Sequence, residues 1–87
     1  MEPLRVVVPP FQLLVDDTPF EILEVIQHQI GGYSVAVRMV YKGIQSRVLD
    51  VSAKDEKDLL NKLRVELSKI KWIEYIYGLE EVRRTIT

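Results

Sequence analysis

The 87-residue chain contains no cysteine, a single histidine, and four scattered glycines. The absence of cysteine excludes disulfides, thiolate catalysis and any metal site built on cysteine ligands. The single histidine, His28, has no partners at a spacing that marks out a hydrolytic triad, and the glycines form no phosphate-binding loop. The sequence therefore predicts a protein that is not an enzyme and that holds no cofactor and no resident metal.

An excess of charge of one sign is also lacking, since 12 basic residues stand against 13 acidic residues and the net charge is −1. Such a chain has no overall field to attract nucleic acid or an anionic membrane. The apolar runs are too short to cross a bilayer, and the first residues lack the order of a signal peptide. We expect one domain over residues 1–87, located in the cytoplasm. The single asparagine beside many valines and isoleucines is typical of thermophilic proteins.

The N-terminal third of the chain predicts a strand region followed by a helix. Residues 4–8 and 11–15 have strand composition, and Pro9-Pro10 between them predicts one interrupted strand. Thr18 and Pro19 then suit the N-cap and first position of a helix, and Gly31-Gly32 suits its end. Together with apolar residues at helical spacing, these signals predict a helix over residues 18–30.

The remainder predicts a hairpin, a helix and a final strand. Residues 33–41 and 44–52 alternate around a Lys42-Gly43 turn, and Ser52 suits the cap of a helix over 53–70. The aromatic and β-branched residues at 72–77 favour a strand, with a helix continued to Gly78 as the alternative. The tail, residues 79–87, forms either an extra edge strand or a loose end.

This order of elements is that of the ferredoxin-like fold. The predicted class is α+β, with the order βαββαβ, one antiparallel sheet and two helices on one face of it. The fold hosts many functions and does not select one.

The predicted hairpin also suggests an interface. If Gly43 is the left-handed residue of a three-residue loop, Leu49 and Val51 face the core. The face away from the helices then keeps an apolar set, and such a patch commonly contacts another molecule. We therefore expect a homodimer or higher homo-oligomer formed through the sheet, unless the tail or the N-terminal segment covers that face. The residues of this predicted interface are Ala36, Val40, Ile44 and Val48.

Three basic residues of the hairpin support an alternative function. Arg38, Lys42 and Arg47 would form a small basic patch able to bind nucleic acid. The pattern starts like the third strand of an RNA-recognition motif, but no aromatic residue follows to stack on a base.

The segment around Asp17 resembles the start of an ACT domain, in which a strand is followed by Asp-x-Pro-Gly and a helix. Asp17, Pro19, Leu23 and Ile26 match that pattern, whereas Phe20 replaces the family's glycine. The resemblance implies a regulatory module that binds a small metabolite, usually across a dimer interface. The ligand-binding residues that it implies are Asp17, Thr18 and Phe20. Taken together, the sequence predicts a small, non-enzymatic, self-associating module that binds a small ligand or a protein.

Overall fold

Six strands precede two helices in the computed structural model, which describes residues 4–6 by their backbone and residues 11–87 in full. The strands are β1 (Leu4–Val6), β2 (Phe11–Val15), β3 (Thr18–Gln27), β4 (Tyr33–Tyr41), β5 (Ile44–Gln45) and β6 (Leu49–Ala53). The helices are α1 (Glu56–Tyr77) and α2 (Leu79–Ile86). The α+β class is therefore confirmed. The order βαββαβ is not found, because every described strand comes before both helices.

The strands form one antiparallel sheet with four positions. β3 and β4 lie in its centre, β1 and β2 both pair with β3, and β5 and β6 both pair with β4. The interrupted N-terminal strand that the sequence predicted is confirmed, although Pro9-Pro10 itself lies outside the described residues. Both edges of the sheet are thus short, broken strands, and such edges are poor templates for pairing with another chain.

The predicted helix over residues 18–30 is wrong, because this segment is mostly strand β3. Asp16 and Asp17 have φ angles of 49° and 67°, which form a two-residue hairpin turn that pairs Val15 with Thr18. Aspartate tolerates this left-handed conformation better than most residues, and such turns match the twist of the strands that they join. The residues that resembled a helix start are therefore the turn and the first residues of a strand.

A bulge in β3 explains why its period looked helical. The register shifts between Ile22, which pairs with Val37, and Glu24, which pairs with Ala36. The extra residue turns Val25 towards the same face as Ile22, so that apolar residues on one face are three apart instead of two. Gly31-Gly32 then closes the hairpin with β4, and both glycines have positive φ.

The second hairpin has the predicted first strand but a tighter turn. Lys42 and Gly43 have φ angles of 48° and 83°, and Tyr41 pairs directly with Ile44. The loop therefore has two residues instead of the predicted three. As a result Ile44 faces the helices, where it is 3% exposed.

A break in the strand at Ser46 restores the predicted register between β4 and β6. The backbone N–H of Ser46 donates to Met39 O at 2.8 Å, and the Ser46 Oγ accepts the Met39 N–H at 2.9 Å. The chain then resumes as β6 one residue out of step, so that Leu49 pairs with Val37 and Val51 with Val35. Leu49 and Val51 thus face the core as predicted, although the extra residue lies at this break and not in the turn.

α1 is longer than predicted, and its cap is a different residue. Asp55 Oδ1 accepts the Asp58 N–H at 2.9 Å, and Asp58 Oδ2 accepts the Lys54 N–H at 2.9 Å, which is a reciprocal cap. The second of these hydrogen bonds lowers the pKa of Asp58. Ser52, the predicted cap, lies in β6. The helix continues to Tyr77 and ends at Gly78, which confirms the alternative interpretation of residues 72–77.

Both helices pack on one face of the sheet, but only α1 corresponds to a predicted helix, since the other predicted helix is β3. Leu63, Leu67 and Ile70 of α1 are buried, and so are Val82 and Ile86 of α2. The tail is therefore a helix, and both alternatives predicted for it, an edge strand and a loose end, are wrong. Its buried residues are four apart, which places them on one side of a helix. The sheet residues of this core are Phe20, Ile22, Val35, Val37, Met39 and Tyr41.

Candidate functional site

α1 carries a second apolar stripe on the side opposite its buried residues. We call Val65, Trp72, Tyr75 and Ile76 the outer stripe; their side chains are 54%, 62%, 82% and 60% exposed. They are separated by seven, three and one residues, which keeps them on one side of a helix with 3.6 residues per turn. The Trp72 and Tyr75 rings pack edge to face, with their centroids 5.9 Å apart and an interplanar angle of 83°.

The outer stripe is the structural feature that the sequence interpretation missed. Residues 72–77 have apolar side chains on two opposite sides of one helix, and in sequence this imitates the alternation of a strand. Large aromatic side chains are enriched at the centres of protein interfaces and depleted from free surface. Several such side chains together on a helix facing solvent are typical of a contact surface.

The charges around the outer stripe are mostly basic. Among the charged residues of α1 that are exposed, one is acidic, Glu56, and five are basic: Lys57, Lys62, Arg64, Lys69 and Lys71. Three of the basic side chains form ion pairs, with nitrogen–oxygen distances of 3.3 Å to Asp58, 3.4 Å to Asp16 and 3.2 Å to Glu66. Exposed pairs of this kind contribute little to stability and leave the side chains free to exchange partners.

The sheet face away from the helices differs in composition from the predicted interface. Ala36 and Val40 lie there, half-buried, as expected. Ile44 is buried on the helix side, and Val48 lies in the break between β5 and β6, where it is 45% exposed. The two-residue turn causes this separation, because it moves Ile44 to the opposite face. We call the following set the open sheet face: Leu14, Pro19, Glu21, Glu24, Ala36, Arg38, Val40 and Asp50.

The three basic residues of the predicted nucleic-acid patch lie in different surroundings. Lys42 Nζ is 2.7 Å from Glu74 Oε2 on α1. Arg47 Nη1 donates to Thr85 O at 3.1 Å, and its backbone N–H donates to Ile86 O at 2.7 Å, so that this residue holds the end of α2. Arg38 lies on the open sheet face, opposite Glu21 in the register.

Glu74 joins the tip of the second hairpin to α1. The Tyr41 hydroxyl donates to Glu74 Oε1 at 2.6 Å, while the Lys42 ammonium binds the other carboxylate oxygen. Both hydrogen bonds lower the pKa of Glu74, and the one from Lys42 has the larger effect. Burial, together with the hydrogen bond to Glu74 and its charge, raises the pKa of Tyr41 to about 12.

This raised pKa predicts a loss of stability in strong alkali. The folded state keeps a Tyr41 proton that the unfolded chain releases above its ordinary pKa of 10.0. The contribution of the Tyr41 hydroxyl to the free energy of unfolding is therefore fully present below pH 10 and is lost as the pH rises through about 12. In an absorbance titration of tyrosinate, we expect Tyr41 to ionise at about pH 12.

The variant Glu74→Gln tests the cause of that shift. It removes the negative charge but leaves Tyr41 buried, so we expect the late ionisation to move part of the way back towards 10.0. Ionisation of Tyr41 near its ordinary pKa of 10.0 in the folded wild-type protein would contradict the assignment.

The predicted ligand-binding residues do not form a recess. Asp17 lies in the first hairpin turn, Thr18 is 8% exposed, and Phe20 is fully buried in the core. An apolar cleft of about 320 Å³ lies elsewhere, between the sheet and the first turn of α1. It is lined by Phe11, Leu13, Val25, Tyr33 and Leu59, among others, and by none of the three predicted residues.

Within residues 4–6 and 11–87, no group of three or more histidine, aspartate or glutamate side chains is placed to hold a metal ion. In the same part of the chain, no helix is long and apolar enough to span a membrane. Comparison of this sequence and fold with protein-family models, with curated proteins and with solved structures gives no match.

Proposed function

We propose that this protein is a non-enzymatic module that self-associates, with the outer stripe of α1 as a contact surface. The observation that carries the proposal is the exposure of four large apolar side chains on the side of α1 opposite the core, two of them aromatic. A domain of this size buries a modest share of its surface, and association is a common way to bury more. The sheet-based interface predicted from the sequence is thereby extended to the helix.

Trp72 is the residue whose replacement tests the proposal. A Trp72→Glu variant removes the largest ring of the outer stripe and places a charge at its centre. Because Trp72 is 62% exposed and contacts the core little, the fold is expected to survive. Loss of an aromatic anchor from an interface commonly weakens association by about 30-fold to 1000-fold.

The measurement is molar mass by light scattering over a dilution series from about 1 to 100 µM. We expect wild type to exceed the 10.1 kDa of one chain and Trp72→Glu to stay close to it. Ile30→Glu is the matched control, because Ile30 is fully exposed in the turn between β3 and β4. A wild-type protein that remains a monomer throughout would refute the proposal.

Light scattering also tests the alternative that the protein binds nucleic acid. Binding through Arg38, Lys42 and Arg47 would add the mass of an oligonucleotide at low salt and lose it at high salt. We expect no gain, because Lys42 is paired with Glu74 and Arg47 donates to the end of α2. A salt-sensitive gain of mass that Arg38→Ala abolishes would favour the alternative.

A further inference from the structure

The open sheet face is a second surface whose character is the opposite of that around the outer stripe. Within the set that defines it, the charged residues are Glu21, Glu24, Asp50 and Arg38, and Arg38 lies opposite Glu21 in the register. Apolar side chains lie between them: Leu14 pairs with Pro19 across one edge, and Ala36 lies in the middle between Glu24 and Asp50. One side of the molecule is thus apolar with acidic flanks.

The helix side of the molecule is apolar with basic flanks. α1 carries five basic side chains, all exposed, which border the outer stripe along its length. Of its four acidic residues, Glu56 is exposed and Asp58, Glu66 and Glu74 are half-buried. Opposite charges on two apolar surfaces favour their contact, whereas like charges placed together cost several kcal/mol. The two surfaces lie on opposite sides of a two-layer molecule, so one chain cannot join them to each other.

We infer that the outer stripe of one copy packs on the open sheet face of the next copy, so that copies associate head to tail. This inference rests on the self-association proposed above and names the partner surface. α1 then lies between two sheets, its inner residues on its own sheet and its outer stripe on the neighbour's. Each sheet in turn is covered on both faces, which is the common three-layer arrangement of α/β proteins.

Pairing of like surfaces is disfavoured by the same charges. Two α1 helices in contact would bring five exposed basic side chains of one copy towards five of the other. Two open sheet faces in contact would similarly bring Glu21, Glu24 and Asp50 of one copy towards those of the other, with one arginine, Arg38, in each set. A head-to-tail contact does not close on itself as a two-fold dimer does, so its mass rises with concentration until a ring forms or a filament grows.

A mixing experiment separates head-to-tail association from association of like surfaces. Trp72→Glu spoils the helix surface and leaves the sheet surface intact. Ala36→Lys spoils the sheet surface and leaves the helix surface intact, and the new lysine lies between Glu24 and Asp50 in the register, which favours folding. Leu14→Lys, at a position 63% exposed, is a second sheet variant in case the first does not fold.

Light scattering is then measured on each variant alone and on an equimolar mixture of the two, with Ile30→Glu as the control. We expect each variant alone to be a monomer and the mixture to form a complex of two chains and no larger, because one intact surface of each kind remains. Circular dichroism of every variant establishes that it is folded.

Other outcomes overturn the inference in distinguishable ways. If Trp72→Glu is a monomer while both sheet variants keep the wild-type mass, α1 pairs with α1, and only the proposed function survives. If the sheet variants are monomers while Trp72→Glu keeps the wild-type mass, sheet pairs with sheet, and both the inference and the role of the outer stripe fail. A monomeric wild type removes the proposed function as well.

Discussion

Replacement of Phe20 by alanine is expected to lower the free energy of unfolding by about 3–5 kcal/mol. Phe20 is fully buried and pairs with Met39 in the centre of the sheet, beneath the two helices. Loss of the ring removes its transfer free energy and leaves a cavity that a sheet covered by helices cannot easily close. Urea unfolding followed by circular dichroism measures the change, provided that the m-value stays constant.

Two further variants allow the position of Phe20 to be tested even if Phe20→Ala does not fold. A small domain has roughly 5–10 kcal/mol of stability in total, so Phe20→Ala is close to that limit. Phe20→Leu keeps most of the volume and is expected to cost about 1–2 kcal/mol. Phe11→Ala is the matched control, because Phe11 is 49% exposed and its loss is expected to cost about 1 kcal/mol or less.

The Phe20 result also decides between two interpretations of the segment after Asp17. If Phe20 lay on the first turn of a ligand-binding helix, as the resemblance to ACT domains implies, its replacement would affect ligand binding and leave stability almost unchanged. A cost for Phe20→Ala no greater than that for Phe11→Ala would contradict the position of Phe20 in the core.

Replacement of Val82 by aspartate is expected to detach α2 from the rest of the protein. A helix of eight residues does not form alone in water, so α2 depends on its packing. Val82 is fully buried and Ile86 is 6% exposed, and a carboxylate at residue 82 would lie in the core with no basic partner. We expect a loss of about 3 kcal/mol or more and loss of amide-exchange protection over residues 79–87.

Arg83→Asp is the control for this variant, because it introduces the same side chain at the next, exposed position of α2. Its amide protection is expected to remain close to that of wild type. Rapid exchange over residues 79–87 in the wild-type protein itself would contradict a packed α2 and favour a loose tail.

Several elements were predictable because their signals are local. The strand at 33–41 alternates without interruption, and the helix beginning after Asp55 has an apolar spacing of three and four over several turns. Lys42-Gly43 predicted a turn because glycine adopts the positive φ angle that such a turn needs. The predictions for these elements needed no knowledge of what they pack against.

The errors share one physical cause, which is that apolar spacing was altered by the tertiary fold. In β3 a bulge gave a strand the spacing of a helix, and in α1 a second apolar side gave a helix the alternation of a strand. Asp16-Asp17 fits both a helix start and a hairpin turn, and pairing with β2 decided for the turn. Local preferences of about 1 kcal/mol per residue do not resist such contacts.

The candidate site also combines features that the sequence determined with features that only the tertiary structure decided. The sequence by itself determined that no cysteine chemistry is present. It also determined the α+β class, the strand at 33–41 with its turn at Lys42-Gly43, and the core of α1. Only the tertiary structure decided the order of the fold, the side of the sheet on which Ile44 lies and the exposure of Trp72 and Tyr75. The reason is that exposure depends on which face of an element meets the core, and that choice is made by packing between segments far apart in the chain.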